Sequence, residues 1–107
     1  MSALIWCPFP DRASAREVAA RLLDLSLVAC ANLIGPVESL FVWQGARNEA
    51  QEIGVLFKTD AALLHEAIAA IAAHHPYDCP AVLGWRVDAA NTGAAEWLGA
   101  LAGSREG

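Results

Sequence analysis

Hydrophobic positions fall along this chain in short runs of changing period. Residues 3–7 are continuously apolar and are followed by Pro8, which predicts a short buried strand. Ser14-Ala15-Arg16-Glu17 has the form of a capping box, in which Ser and Glu side chains satisfy free backbone donors at a helix start. Val18, Leu22 and Leu25 then recur at helical spacing, with Arg16, Glu17, Arg21 and Asp24 as a polar face, so a helix is expected over 15–25. Residues 28–34 and 37–43 read as one long strand bent at Gly35-Pro36. Gln44-Gly45-Ala46-Arg47 forms a turn, after which Ile53, Val55 and Phe57 alternate with Gly54, Leu56 and Lys58, giving a hairpin. Asp60 is placed to cap a second helix with Leu64, Ile68 and Ile71 inward. Pro76 disfavours helical geometry at His75, so that helix ends near His74. A fourth strand is expected over 82–87. A last short helix, capped by Asn91 or Thr92, is expected over 93–102 with Trp97, Leu98 and Leu101.

The order β-α-β-β-α-β is that of the split βαβ, or ferredoxin-like, α+β fold. Right-handed crossovers give the strand order 4-1-3-2, with the first and last strands adjacent and antiparallel. The end of the first strand then lies near the start of the fourth. No linker or repeat divides the 107 residues, so one domain over 1–107 is expected, with a polar, glycine-rich tail at 103–107 that frays.

Composition changes this picture in one respect. With 56% hydrophobic residues the chain is more apolar than so small a core requires, which points to a covered subunit interface. The net charge of −5, without any basic run, argues against nucleic acid and against anionic membrane surfaces. No apolar run is long enough to span a bilayer, and the first ten residues do not read as a signal peptide. Cys7, Cys30 and Cys79 form no CxxC pair; three cysteines in such a chain are expected to be reduced thiols in the cytoplasm.

There is no phosphate loop, nucleophile elbow, HExxH or EF-hand pattern, and no triad is visible, so an enzyme is not expected. What remains is a set of soft donors. Cys7 ends the first strand, His74 and His75 end the second helix, and Cys79 precedes the fourth strand, all towards one end of the sheet. Thiolate and imidazole suit copper or zinc better than magnesium or calcium, and a helix C-terminus favours a cation. Each residue also has a plainer role. Cys7 fills a buried strand as well as it would ligate; His74 caps helix carbonyls; His75 is open to solvent; Cys79 is inert, a ligand, or an oxidative partner of Cys7. Cys30 reads as core. Trp6, Trp43, Trp85 and Trp97 suit core and interface packing better than a ligand pocket. Lys58-Thr59 reads as a strand end rather than an anion site, and Glu49 and Glu52 as surface charges or interface partners.

Together these segments resemble the CutA family, the divalent-cation tolerance proteins. The resemblance runs from about Leu4 to Leu101. It is carried by Cys7 with Pro10-Asp11, by Leu27-Val28-Ala29-Cys30-Ala31-Asn32-Leu33-Ile34, and by Ser39-Leu40-Phe41-Val42-Trp43-Gln44-Gly45. Glu52, Lys58-Thr59, His74-His75-Pro76-Tyr77, Pro80 and Trp97-Leu98 complete it in the same order. It implies a homotrimer joined through the long second and third strands, and a role in the response to copper and other divalent cations. The family's proposed ligands are a cysteine, a histidine and a glutamate. Cys7 and His74 match the first two, but Ala81 stands where the glutamate belongs. Cys79, two residues earlier and on the same face of an extended segment, is the candidate substitute, while Asp78 would face the other way. The expected site is therefore Cys7, His74 and Cys79, holding copper or another divalent cation. The alternatives are a small-molecule sensor like the PII signalling proteins and a ligand-free trimer that binds a partner.

Overall fold

In the computed structural model, which describes residues 1–106 without the side chains of 104–106, the first strand sets the core. β1 (Ser2–Phe9) buries every second side chain completely, at Ala3, Ile5, Cys7 and Phe9. Its neighbour β3 (Ala46–Asp60) contributes Val55 and Phe57 to the same core. α1 (Arg12–Asp24) adds Ala15, Val18, Ala19 and Leu22, and α2 (Leu64–His74) adds Leu64, Ala67 and Ile71. A 3-10 turn, Ala61–Leu63, leads into α2, and the Asp60 carboxylate accepts from the Ala62 N–H at 2.9 Å. β2 (Cys30–Trp43), β4 (Leu83–Arg86) and α3 (Thr92–Glu106) complete the chain. All strand pairs are antiparallel, in the order β2-β3-β1-β4, which is the expected 4-1-3-2 read from the other edge.

β2 begins at Cys30 rather than 28, and β4 covers Leu83–Arg86 rather than 82–87. Three further boundaries differ for reasons the structure shows. The helix α1 starts a turn earlier, because Asp11 rather than Ser14 is its cap. The Asp11 carboxylate accepts from the Ser14 N–H at 2.7 Å, and the Ser14 hydroxyl donates back to the Asp11 carbonyl at 3.2 Å. An aspartate satisfies free N–H groups as well as serine does, and this one comes first. β1 also runs through Pro8 to Phe9. A strand residue points its N–H and C=O to the same edge. The Pro8 carbonyl is taken by the His75 ring at 2.8 Å, on the edge beyond the end of β4, so the missing N–H costs no ladder bond. Finally, α3 is longer than expected and is continuous through Gly103 to Glu106, with Ala95 N–H donating to the Asn91 carbonyl at its start. Gly107, the end of the tail expected to fray, lies outside the described residues.

The bend in β2 is a slip of register between Ile34 and Val37, at a cis Gly35–Pro36 bond. Two residues, Gln44 and Gly45, close the hairpin with positive φ of 51° and 79°, the geometry that twists with its flanking strands. The hairpin projects from the body as an arm. The radius of gyration is 14.4 Å, against about 13 Å for a compact domain of this length. On the sheet surface away from the core, the Trp6 ring lies against Gly54, where a Cβ would run into it. Gly54→Ala is expected to destabilise the fold by about 1–3 kcal/mol, read as a lower urea midpoint at unchanged slope.

Candidate functional site

β4 stops at Leu83, opposite Trp6, so the last residues of β1 have no strand on that edge. The segment that leaves α2 fills the gap. Pro76 ends the helix and turns His75 into extended geometry, φ −71° and ψ 142°. The His75 ring is thereby laid over Phe9, with centroids 4.4 Å apart and planes 21° from parallel. Its Nε2 lies 2.8 Å from the Pro8 carbonyl, which can only accept, so the network assigns the proton to Nε2. Nδ1 then accepts from the Tyr77 N–H at 3.1 Å. Both ring nitrogens are engaged, which leaves no lone pair for a metal ion. Tyr77 stands 4.8 Å from His75, centroid to centroid, and its hydroxyl donates to Glu52 Oε2 at 2.9 Å.

Cys7 lies beside this arrangement, one residue from the Pro8 that His75 holds. Its thiol has no solvent exposure, and its nearest polar partner is the Pro8 carbonyl at 3.7 Å. Burial, with a smaller contribution from the Glu52 charge, pushes the thiol up from 9.0 to about 12. Tyr77 is pushed up from 10.0 to about 12, first by burial and then by its hydrogen bond to Glu52 and nearby charges, that of Cys7 among them. Cys7, Glu52 and Tyr77 thus form one electrostatic neighbourhood. Glu52 is itself buried, at 9% exposure.

The other expected donors lie elsewhere. His74 is exposed and lines a groove of about 120 Å³ with Ser14, Glu17, Val18, Arg21 and Pro76. Cys79 is an exposed free thiol in the irregular segment before β4. Among the described residues, no three His, Cys, Asp or Glu side chains come together in a group that could hold a metal ion. His75 is not solvated, because Phe9 and Pro8 claim its ring, and Glu52 is no surface charge. Cys30 is half-buried rather than core, its thiol 3.5 Å from Asn32 Oδ1. Thr59 spends its hydroxyl on the Leu27 carbonyl at 2.8 Å, as a strand end would. Tyr77 and Glu52 are the residues that sequence reasoning passed over as a pair. The available signal was that Tyr77 is the sole tyrosine of the chain and sits beside a proline.

The fold and this end of the sheet define a class: a ferredoxin-like α+β protein with a long projecting hairpin and a buried thiol beside a His-Pro-Tyr segment. The family model of the CutA1 divalent ion tolerance protein matches residues 3–100. The divalent-cation tolerance protein CutA of Thermococcus kodakarensis is 35% identical over 95 residues, 89% of this chain and 90% of that protein. The crystal structure of CutA from Xylella fastidiosa superposes with a TM-score of 0.89 at 30% identity, covering 94% of this chain and 96% of that one. The chain belongs to the CutA family of divalent-cation tolerance proteins. A further relative, from Archaeoglobus fulgidus, has a TM-score of 0.88 at 27% identity and covers 94% of this chain and 98% of its own. That protein is described as periplasmic, so family membership does not carry the expected cytoplasmic location. Among the described residues no helix is long and apolar enough to cross a membrane.

Proposed function

We propose that this chain works as a single-domain, homotrimeric divalent-cation tolerance protein in a reducing compartment, the cytoplasm. It takes up copper or a similar soft divalent cation weakly through Cys7, His74 and Cys79, and it does not catalyse a reaction. The observation that carries this reading is the path of one segment. The stretch that leaves α2 at His74 and carries Cys79 is the stretch whose His75 is docked on the carbonyl next to Cys7. The donor chemistry, thiol with imidazole, fits copper or zinc. The arrangement within one chain does not fit a bound ion as it stands, because the three donors are not gathered. Uptake therefore requires the segment after α2 to move, and the raised Cys7 pKa works against ligation, both of which favour weak binding.

The trimer is supported by what the arm exposes. Leu40, Phe41, Val42 and Trp43 stand open to solvent, as do Leu83 and Trp85 on the edge strand β4. Apolar side chains exposed along both open strand edges, β2 and β4, favour a partner, and an identical chain satisfies both. Isothermal titration of the reduced protein with copper and with zinc tests the cation reading. Wild type should bind, and a Cys7→Ser, His74→Ala double variant should lose at least tenfold in affinity. Equal binding by the two proteins would refute it.

A further inference from the structure

We propose that His75, Pro76 and Tyr77 form a strap that closes the Cys7 thiol off from solvent and lifts locally, without unfolding of the sheet, to admit reagents to it. His75 and Tyr77 are the positioning residues that keep it shut. The cation part of this proposal rests on the reading of Cys7 as a ligand; the strap itself does not.

The strap occupies a place where the sheet offers no ladder. β1 is paired with β4 only from Ala3 to Trp6, and the next carbonyl on that edge, Pro8, is held by a side chain instead of a strand. Residues 75–82 carry neither helix nor strand. Among the described residues their polar ties to the body are His75 Nε2 to the Pro8 carbonyl and the Tyr77 hydroxyl to Glu52, backed by the stacking of His75 on Phe9. The bond from Tyr77 N–H to His75 Nδ1 is internal to the strap and couples its two anchors. Release of one therefore loosens the other. Pro76 between them fixes φ and keeps the three residues moving together. Next to the anchored Pro8 carbonyl lies the Cys7 thiol, without solvent exposure and 3.7 Å from that same oxygen, in a strand paired on its β3 side throughout. Local opening of a segment held by a few side-chain bonds is expected at far lower free energy than opening of the central strands.

The test uses the full chain with Cys30→Ser and Cys79→Ser, which leaves Cys7 as the one thiol. Iodoacetamide labelling at fixed pH should proceed at a rate that does not change with low urea, since a local opening exposes little surface. Tyr77→Phe, which keeps the ring and removes only the bond to Glu52, should speed labelling at least tenfold while the urea midpoint of global unfolding moves little. In the unsubstituted protein the Tyr77 amide should exchange with solvent far faster than that of Val55, which lies in the β1–β3 ladder. Labelling that rises with urea in step with global unfolding, labelling unchanged by Tyr77→Phe, or a Tyr77 amide as protected as Val55 would each overturn the strap. Zinc association followed by stopped flow, in the chain that keeps all three cysteines, separates the two readings. Association should quicken with Tyr77→Phe in proportion to labelling. Quicker labelling with no change in zinc association retains the strap and removes Cys7 as a ligand.

Discussion

Between pH 9 and 12 the folding stability of this protein should fall by up to about 4 kcal/mol on account of one thiol, a large share of the roughly 5–15 kcal/mol typical of a domain. The cause is the position of Cys7. Its ordinary value of 9.0 is pushed up to about 12, chiefly by burial and secondly by the charge of Glu52. The sign follows from proton counting. Above pH 9 the unfolded chain has released the Cys7 proton while the folded chain still holds it. The unfolded state binds fewer protons, and stability declines as pH rises. Below pH 9 both states hold the proton and the thiol contributes no slope. Tyr77, raised from 10.0 to about 12, adds a decline of the same sign higher in the range. Urea unfolding at fixed protein concentration, repeated from pH 8 to 11, measures the slope. Cys7→Ser should flatten it by about 1 kcal/mol per pH unit, whatever its effect on stability at pH 8. Glu52→Gln removes the smaller cause, so the thiol should titrate below about 12 but still above 9.0. An unchanged slope in Cys7→Ser would mean that the thiol is not closed off in the way the geometry shows.

The second large effect concerns assembly. Leu40 and Val42 lie two residues apart on β2 and so share a face, with exposures of 65% and 70%. Burial of each at a subunit contact is worth roughly 1.5–3 kcal/mol, and a trimer repeats the contact three times. Replacing both with aspartate would instead place two charges per contact in an apolar seam, where an unpaired charge costs several kcal/mol more. Light scattering should report a particle of three chains for the wild type and of one for Leu40→Asp, Val42→Asp, with the far-ultraviolet spectrum of a folded protein. A wild type that runs as a monomer would refute the trimer, and a double variant that remains trimeric would place the contact elsewhere. The 56% of hydrophobic residues that the sequence could not house in so small a core fits the apolar surface exposed on this arm.

The architecture was legible because periodicity is a local property. Ile53, Val55 and Phe57 alternate, Val18 and Leu22 repeat at helical spacing, and Pro76 stops α2 at His74 where it was expected to. Local rules failed where a distant group settled the matter. Pro8 does not stop β1, because the edge its N–H would have faced belongs to a side chain 67 positions away. Asp11 and Ser14 both have cap chemistry, and only the geometry of the turn chooses between them. At the candidate site, the family pattern drew the eye to His74 and passed over His75, which is the histidine that touches β1. Nothing in the alternation of β3 announces that Glu52 is buried or that Tyr77, arriving from after α2, donates to it.

X-ray absorption at the zinc or copper edge, on the reduced protein loaded with less than one ion per chain, tests the cation site most directly. A site built on Cys7, His74 and Cys79 predicts a shell with sulfur at about 2.3 Å and nitrogen at about 2.0 Å. The sulfur part should diminish in Cys7→Ser and again when Cys79 is also replaced by serine. A shell of oxygen and nitrogen alone, the same in wild type and in both variants, would contradict it.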